Sequence, residues 1–338
     1  MLVREIAMRV RVLGGGFYGC SLAASLLERG YNVDLFEIRD RLFGGASGNI
    51  PARLHAGALH YPRSHATRKA CLAHRDEFMQ RFGFLTRGVA TNIYAVAEYE
   101  SLIDFGTYLE VVKRDLECIT IYDPAEYGLR HVEGAILTAE RHILTDRARE
   151  HFTALLAPYV QFNTPPGLVD DPRWDMTIDA TFCANEGAGI DRFEPCVTAL
   201  LEGPVGKSIT IVDGAFGSLY QWDPDRQLSS LSSAKWTPFS KSIKSWGQAA
   251  AVLDQSSRFD VDLRVNSMID QMRHYYPAIE EYRYVEPMLS IRAMPLSGAD
   301  TRLVDVVRVG DRAVRVRAGK IDAVLDAERQ VMELIACM

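Results

Sequence analysis

The chain has 338 residues, 48% of them hydrophobic and 24% charged, a composition typical of a globular protein with two domains or one divided domain. Its net charge of −6 leaves no dominant basic surface, so we do not expect nucleic acid as a partner. There is no run of about 18 apolar residues, and Arg4 and Glu5 interrupt the N-terminal region where a signal peptide needs an apolar core. We therefore expect a cytoplasmic protein without a membrane span, whose six widely spaced cysteines remain thiols.

The first forty residues predict a strand, a glycine turn, a helix and a second strand. The stretch "RVRVLGGGFYGCSLAASLLERGYNVDLFEIRD" contains the pattern GxGxxG, formed by Gly14, Gly16 and Gly19 directly after apolar strand residues. Apolar residues at helical spacing follow, and Gly30 stands where a helix C-terminal cap is expected. The second strand ends at Glu37.

Each part of this unit suits a bound dinucleotide. Gly14 permits the tight turn, Gly16 lets the backbone approach a pyrophosphate, and Gly19 lets the helix pack closely against the strand. The helix N-terminus presents free N–H groups to the anion. Glu37 follows Gly14 by 23 residues, near the ~20 expected for an acid that accepts hydrogen bonds from ribose hydroxyls. The unit therefore predicts dinucleotide binding.

A second loop of small residues, "GGASGN" at 44–49, begins seven residues after Glu37. An NAD enzyme normally continues into its next crossover helix at this point. A second small-residue loop favours a longer cofactor whose extended body lies along the sheet edge, so the sequence favours FAD over NAD.

The stretch "RLHAGALHYPRS" at 53–64 concentrates titratable side chains in a segment whose spacing fits neither a regular strand nor a helix. No cysteine or acid stands at metal-ligand spacing, and His55 and His60, five residues apart, do not share a helix face, so we predict no metal site. An imidazole titrates near neutral pH, which makes either histidine a candidate general base. The alternative is that both histidines only hydrogen-bond the backbone of an interdomain loop.

The remainder of the chain alternates strands and helices. In chain order we predict a strand at 91–98, a helix at 101–114 capped by Ser101, strands at 118–122 and 134–139, a helix after Thr145, a strand and glycine turn at 176–187, a β-rich block at 207–236 and a helix at 262–280. In the last helix, Leu263, Met268 and Met272 stand on one apolar side together with Ile269 and Tyr276. No linker rich in Pro, Gly or Ser separates these blocks, which favours an interdomain cleft over tethered modules.

The N-terminal motifs resemble the FAD-dependent oxidoreductases of the D-amino-acid oxidase superfamily, which includes glycine and sarcosine oxidases, glycerol-3-phosphate dehydrogenase and L-2-hydroxyglutarate dehydrogenase. Ser47 matches the serine that contacts the flavin phosphates in a GGAS-like turn of that family. His55, Gly57 and Tyr61 match its H-x-G-x-x-Y stretch, with one extra residue between Gly57 and Tyr61. The resemblance implies that this stretch lines the flavin ring, that His55 or His60 is the base, and that Tyr61 orients the substrate or the imidazole.

The C-terminal region resembles the same family. "SIRAMPL" at 290–296 is similar to its R-P-L segment, which implies that Arg292 meets an anionic group of the substrate. "VRAGKIDAVLDAERQVMELI" at 316–335 is similar to its strand-to-helix junction, with Gly319 and Lys320 matching and Asp322 in place of a threonine. The resemblance implies that Lys320 and this helix start stabilise the reduced flavin at its pyrimidine edge.

These inferences define a site and a division of the chain. The candidate catalytic residues are His55, His60, Tyr61 and Arg292. The candidate FAD-binding residues are Gly14, Gly16, Phe17, Tyr18, Gly19, Glu37, Ile38, Arg39, Gly45, Ala46, Ser47, Asn49, His55, Gly57, Gly319, Lys320 and Ile321. The expected fold is α/β, a Rossmann-like FAD-binding domain (1–80, 137–200 and 285–338) with an inserted α+β mixed-sheet substrate-binding domain (81–136 and 201–284).

The predicted function is transfer of a hydride to FAD from a C–H bond beside an amine or a hydroxyl. The expected partners are a small-molecule substrate and an electron acceptor, which is oxygen, a quinone or another carrier. One alternative is an FAD-dependent monooxygenase, since "VGDR" at 309–312 is similar to a G-D motif of that class. A second is a flavin-binding module without catalytic activity. Neither Cys183 nor Cys337 stands in a motif that tethers flavin covalently.

Overall fold

The computed structural model describes residues 8–55, 65–185, 190–295, 303–317 and 319–337. Gly57, His60 and Tyr61 lie outside these residues. The helices are α1 (Phe17–Glu28), α2 (Ala46–Asn49), α3 (His65–Phe82), α4 (Phe105–Val112), α5 (Thr145–Leu156), α6 (Trp246–Gln255), α7 (Arg258–Tyr275) and α8 (Val324–Ala336). The strands are β1 (Arg9–Leu13), β2 (Asn32–Phe36), β3 (Arg53–Leu54), β4 (Thr86–Gly88), β5 (Thr91–Ala97), β6 (Cys118–Ile121), β7 (Val132–Thr138), β8 (Arg141–Ile143), β9 (Val160–Gln161), β10 (Met176–Asp179), β11 (Ile190–Glu202), β12 (Lys207–Val212), β13 (Gly217–Asp223), β14 (Leu228–Ser233), β15 (Arg283–Pro295), β16 (Asp305–Gly310) and β17 (Ala313–Arg317).

The first sheet has six strands in the order β16-β17-β10-β1-β2-β9. Strand β1 pairs in parallel with both β2 and β10, and helix α1 packs on this sheet through its apolar side chains. This arrangement confirms the strand, turn, helix and strand predicted for the first forty residues. Gly30 follows the C-cap residue Arg29 with φ +87°, a conformation that glycine adopts without steric cost.

The second sheet has eight strands in the order β15-β11-β14-β13-β12-β5-β7-β6. Apolar side chains of its central strands pack against helix α7, which contributes Val265, Met268 and Met272 to a buried cluster. The predicted strands at 91–98, 118–122, 134–139 and within 207–236 are confirmed as members of this sheet. The long antiparallel pair of β11 and β15 was not predicted.

This long pair runs across the predicted domain boundaries. Residues 190–200 and 285–295 form most of β11 and β15 and are hydrogen-bonded into the second sheet, whereas the sequence-based division assigns them to the FAD-binding domain. A small third sheet, β3-β8-β4, brings the Arg53–Leu54 strand against Arg141–Ile143. Segments far apart in sequence are thereby joined beside His55.

Two predicted helices have different bounds in the structure. Helix α4 begins at Phe105 rather than 101, because the Asp104 side chain accepts a hydrogen bond from the Thr107 N–H and caps it. Helix α7 begins at Arg258 behind a capping box of Ser257 and Asp260, and it ends before Pro277.

Side-chain exposure corrects a further detail of α7. Leu263 is 54% exposed, so the prediction that it lies on the buried side of the helix is wrong.

Within the described ranges, no helix combines the length and apolar character needed to cross a membrane. All six cysteines are unpaired.

Candidate active site

A cavity of about 1270 Å³ extends from the glycine turn after β1 to the polar face of the second sheet. Its walls include the loop before α2, residues of β11 to β15, and the segment just before α8. Typical small-molecule pockets occupy about 300–1,000 Å³, so this cavity has room for a large ligand together with a smaller one.

The glycine turn brings backbone N–H groups to one end of the cavity. Gly14 has φ +98°, and a Cβ there would lie 2.7 Å from the carbonyl oxygen of Ala180. A Cβ on Gly16 would lie 3.0 Å from Oγ of Ser47. The Phe17 N–H, at the start of α1, donates to the same Oγ at 2.9 Å. The two small-residue loops therefore meet at a helix N-terminus, where an anion is favoured.

Glu37 closes this end of the cavity at the end of β2. Its buried carboxylate accepts hydrogen bonds from the N–H of Gly15 at 2.6 Å and from the N–H of Arg39 at 2.9 Å. Charge-assisted hydrogen bonds of this kind fix both the carboxylate and the turn that it touches. Glu37 thus presents a fixed acceptor at the cavity wall.

Two predicted FAD-binding residues lie behind the cavity wall. A Cβ on Gly19 would lie 1.9 Å from the carbonyl oxygen of Gly14, so this glycine permits α1 to pack against the turn. The side-chain amide of Asn49 donates to the carbonyls of Gly44 and Gly45 and holds the second loop in shape. Neither residue contributes to the lining.

The segment before α8 also lines the cavity. Lys320 precedes a 3₁₀ turn at Ile321–Ala323, and its carbonyl accepts a hydrogen bond from the hydroxyl of Tyr18. The Lys320 ammonium lies near Cys71 and Asp322. Burial raises the pKa of the Cys71 thiol to about 12, and burial also raises the pKa of the Asp322 carboxyl. Cys71 is therefore held as a neutral thiol.

His55 lies on the cavity wall between this lysine and a buried acid. Its side chain is 12% exposed, and its Nδ1 lies 3.4 Å from Oε1 of Glu140. The pKa of His55 is lowered to about 4, chiefly by burial and then by the Lys320 charge, while Glu140 opposes both effects. The imidazole is therefore neutral at physiological pH and is able to accept a proton.

Glu140 has no exposed side-chain surface and is surrounded by donors. The Tyr94 hydroxyl lies 2.9 Å and 2.8 Å from its two oxygens. Burial would raise the pKa of this carboxyl, but His55, Arg53 and Tyr94 outweigh burial and lower it. Glu140 therefore remains an anion inside the protein.

Arg53 completes this polar cluster from the short strand β3. Its guanidinium donates to Oγ1 of Thr210 at 2.9 Å and to the hydroxyl of Ser218, and it lies 4.0 Å from the ring centroid of Tyr220. Arg53 and Thr210 also line the cavity. The cluster thus joins the third sheet to the second and carries a fixed cation into the wall.

The predicted substrate-binding arginine lies on the same cavity, on β15. Arg292 donates to Glu194 of β11 at 2.7 Å, and Arg192 lies 3.2 Å from the other oxygen of that carboxylate. All three residues line the cavity, and the group carries one net positive charge. A second anion therefore has an electrostatic reason to bind beside Arg292.

The structure gathers most of the predicted residues around one cavity. Those that line it are Gly14, Gly16, Phe17, Tyr18, Glu37, Ile38, Arg39, Gly45, Ala46, Ser47, His55, Arg292, Gly319, Lys320 and Ile321. Sequence reasoning assigned no role to Arg53, Tyr94, Glu140, Arg192, Glu194 or Tyr220. Arg53 stands inside the stretch that first suggested the site, whereas no local motif marks Glu140, 85 positions after His55.

Comparison with known proteins identifies the family. The family model described as FAD dependent oxidoreductase, abbreviated DAO, matches residues 9–156. The chain is 33% identical to FAD-dependent monooxygenase FPY4 of Fusarium mangiferae, over 96% of this chain and 90% of that protein. The chain belongs to the DAO family of FAD-dependent oxidoreductases. It is also 34% identical to FAD-dependent monooxygenase kojA of Aspergillus flavus, over 46% of this chain and 38% of that protein.

Solved structures of DAO-fold proteins share the architecture. L-alpha-glycerophosphate oxidase from Mycoplasma pneumoniae, solved with FAD bound, has a TM-score of 0.71 at 13% identity, covering 98% of this chain and 95% of that one. Glycine oxidase from Geobacillus kaustophilus has a TM-score of 0.66 at 14% identity, covering 96% and 92%. These similarities confirm the predicted α/β fold with its Rossmann-like FAD-binding domain.

FAD is the cofactor of this DAO-family chain, and the described residues fit it. The cradle at Gly16, the helix N-terminus at Phe17 and the fixed carboxylate of Glu37 are the features that a dinucleotide requires. Among the residues that the structure describes, the amide Nδ2 of Asn185 is buried in the cavity wall without a hydrogen-bond partner. That nitrogen supplies a donor for a bound molecule.

Proposed function

We propose that this chain oxidises a small molecule at a carbon that bears an amine or a hydroxyl group. Bound FAD supplies the hydride acceptor, N5 of its ring system, and the product is an imine or a carbonyl compound. The observation that carries the proposal is the neutral, largely buried imidazole of His55 on the wall of the FAD cavity, beside Lys320 and Glu140.

In this proposal His55 takes the proton of the donor's amine or hydroxyl. A general base must be deprotonated at the working pH, and the lowered pKa of His55 supports that condition. From the sequence resemblance, we also assign His60 and Tyr61 to this region, as a second candidate base and an orienting hydroxyl. We assign the FAD phosphates to Ser47 and the glycine turn, and the ribose hydroxyls to Glu37.

We further propose that Arg292 orients an anionic group of the donor. Arg suits a carboxylate because its planar fork donates two parallel hydrogen bonds. The excess positive charge of Arg192, Glu194 and Arg292 supports this role. In the same scheme the six-stranded sheet carries FAD, the eight-stranded sheet supplies the substrate walls, and an external carrier, oxygen or a quinone, reoxidises the flavin.

The proposal is tested by anaerobic mixing of the purified yellow protein with a panel of amines, amino acids, hydroxy acids and alcohols. The expected result is loss of the oxidised-flavin absorbance with at least one donor and no added nicotinamide. One equivalent of imine or carbonyl product should form per flavin. Failure of every donor, with tight FAD binding retained, would favour a binding module without catalytic activity.

The second candidate function is that of a monooxygenase. The observation that favours it is the match of 96% of this chain to a protein named FAD-dependent monooxygenase FPY4. This candidate predicts rapid flavin reduction by NADPH alone. It also predicts that labelled molecular oxygen enters the organic product. Reduction by the donor alone, with no label in the product, would exclude it.

A further inference from the structure

Glu140 is an acid without exposed side-chain surface that lies beside His55. It follows the end of β7 by two residues and directly precedes β8, so the turn between these strands brings its Oε1 to 3.4 Å from Nδ1 of His55. Both carboxylate oxygens are within hydrogen-bond distance of the Tyr94 hydroxyl. A carboxylate with no exposed side-chain surface, placed 3.4 Å from one ring nitrogen of a histidine, is costly to bury unless its neighbours stabilise the charge.

We propose that Glu140 is a positioning residue that holds Nδ1 of His55 in its protonated form, so that Nε2 is the nitrogen that receives the proton of the donor. This inference rests on the proposed function, because it assigns His55 the role of base. It adds a residue that reaches the chemistry only through the imidazole.

The neutral imidazole has one N–H and one lone pair, and the hydrogen bond made by one nitrogen decides the role of the other. A carboxylate only accepts hydrogen bonds, so the nitrogen 3.4 Å from Oε1 of Glu140 is the one that carries hydrogen. Nε2 then holds the lone pair. In the proton transfer, the O–H or N–H bond of the donor breaks and the proton moves to Nε2. The freed electron pair forms the C=O or C=N bond as the C–H bond breaks and its hydride leaves to the acceptor that bound FAD would supply.

Glu140 also compensates the charge that the proton creates. A buried imidazolium is unfavourable in itself, and the cations of Arg53 and Lys320 on neighbouring elements add repulsion. Glu140 is the anion that opposes both effects at His55. Arg53 and Tyr94 in turn keep Glu140 ionised, so an anion faces the imidazole when it holds the proton.

The test replaces Glu140 with glutamine in the FAD-loaded protein. Glutamine keeps the shape but offers an amide, which is able to donate to Nδ1 and so to move the ring hydrogen to Nε2. The expected result at pH 7 is a fall of about 100-fold in the limiting rate of anaerobic flavin reduction, with FAD content and donor affinity retained. Glu328→Gln is the matched control, since Glu328 is also buried and bonded to a hydroxyl, that of Ser21 at 2.5 Å, but lies off the cavity.

A second readout does not depend on turnover. Nitrogen NMR of protein with labelled histidine should report hydrogen on Nδ1 of His55 in the wild type, and on Nε2 in Glu140→Gln, with the signal assigned through His55→Ala. Hydrogen on Nε2 in the wild type would overturn the inference. If the glutamine variant does not fold, Glu140→Asp, whose carboxylate is one methylene shorter, replaces it in the rate measurements, where it should also slow flavin reduction; the wild-type spectrum alone then tests the position of the ring hydrogen.

The double variant with His55→Ala separates positioning from a general structural role. If Glu140 acts through the imidazole, its substitution should change the reduction rate less than twofold once His55 is alanine. An equal loss in both backgrounds would overturn the inference. If flavin reduction is slow in His55→Ala but remains at the wild-type rate in Glu140→Gln, this inference is wrong. The proposed role of His55 as the base is then still supported. A wild-type rate in His55→Ala overturns the base in the proposed function as well.

Discussion

At the end of the cavity formed by the glycine turn, a single carboxylate organises two backbone segments. Glu37 accepts from the N–H groups of Gly15 and Arg39, so the residue expected at the ribose also fixes the glycine turn. Its position at the end of β2 follows from the buried strand that precedes it, where Val33 and Leu35 face the core. Local sequence pattern therefore determines both the location and the partners of this acid.

Glu37→Ala should weaken FAD binding by about ten- to a hundredfold, because a charged hydrogen bond contributes roughly 1.5–3 kcal/mol. Titration of the apoprotein with FAD measures the change. Asp34→Ala, on the same strand but off the cavity, is the matched control and should bind FAD normally. Equal affinities in Glu37→Ala and wild type would remove Glu37 from the FAD site.

Arg292→Ala should raise the KM for an anionic donor by roughly ten- to a hundredfold, because the lost interaction with a charged group is worth about 1.5–3 kcal/mol. FAD content should not change. Arg283→Ala serves as the control, since Arg283 pairs with Glu202 at the exposed end of the same two strands. A normal KM with lost FAD would make Arg292 a cofactor or structural residue instead.

At the scale of elements, helix α1 packs closely against the turn before it. Gly19 has no room for a β-carbon, because that atom would lie 1.9 Å from the Gly14 carbonyl oxygen. The close approach of Gly19 to Gly14 fixes the position of the helix N-terminus at the cavity. The motif that suggested a dinucleotide therefore sets the helix position as well as the ligand contact.

Gly19→Ala should lower the free energy of unfolding by about 1–3 kcal/mol and reduce FAD content. Gly247→Ala is the matched control, since a β-carbon at Gly247 of α6 meets nothing within 4 Å. That control should leave stability unchanged or raise it by up to about 1 kcal/mol. Denaturant unfolding measures both, and an equal effect of the two substitutions would contradict the packing argument.

Periodicity and glycine motifs predicted the cofactor unit and most central strands, because these features depend on neighbouring residues. The pairing of β11 with β15 depends on segments about 90 positions apart, which no local pattern encodes. The contact of Glu140 with His55 has the same origin, since the third sheet brings β3 beside β8. Capping explains why two helices begin at other residues than predicted, because the Asp104 and Ser257 side chains cap their first turns.

At the scale of the whole molecule, two histidines are buried as neutral groups. The pKa of His142 on β8 is lowered to about 4, chiefly by burial and also by the charges of Arg87 and Arg141. The pKa of His55 is lowered to the same value. Both histidines in the unfolded chain titrate near 6.5, so acid favours unfolding.

The free energy of unfolding should be greatest above pH 6.5 and fall as the pH decreases towards 4. In that window the unfolded chain binds protons that the folded chain excludes, and each histidine accounts for a loss of up to about 3 kcal/mol. His142→Leu should remove about half of this histidine-dependent decline. Urea unfolding across the window provides the measurement, and an unchanged slope in the variant would contradict the assignment to His142.

The central claim is that the imidazole of His55 takes the donor's proton in the FAD cavity. The measurement that tests it most directly is the limiting rate of anaerobic flavin reduction in His55→Ala, with a donor that bleaches the wild type. We expect a fall of about 10²–10⁴-fold with FAD still bound, whereas the control His151→Ala, on α5 and off the cavity, should react normally. A wild-type rate in His55→Ala would contradict the claim.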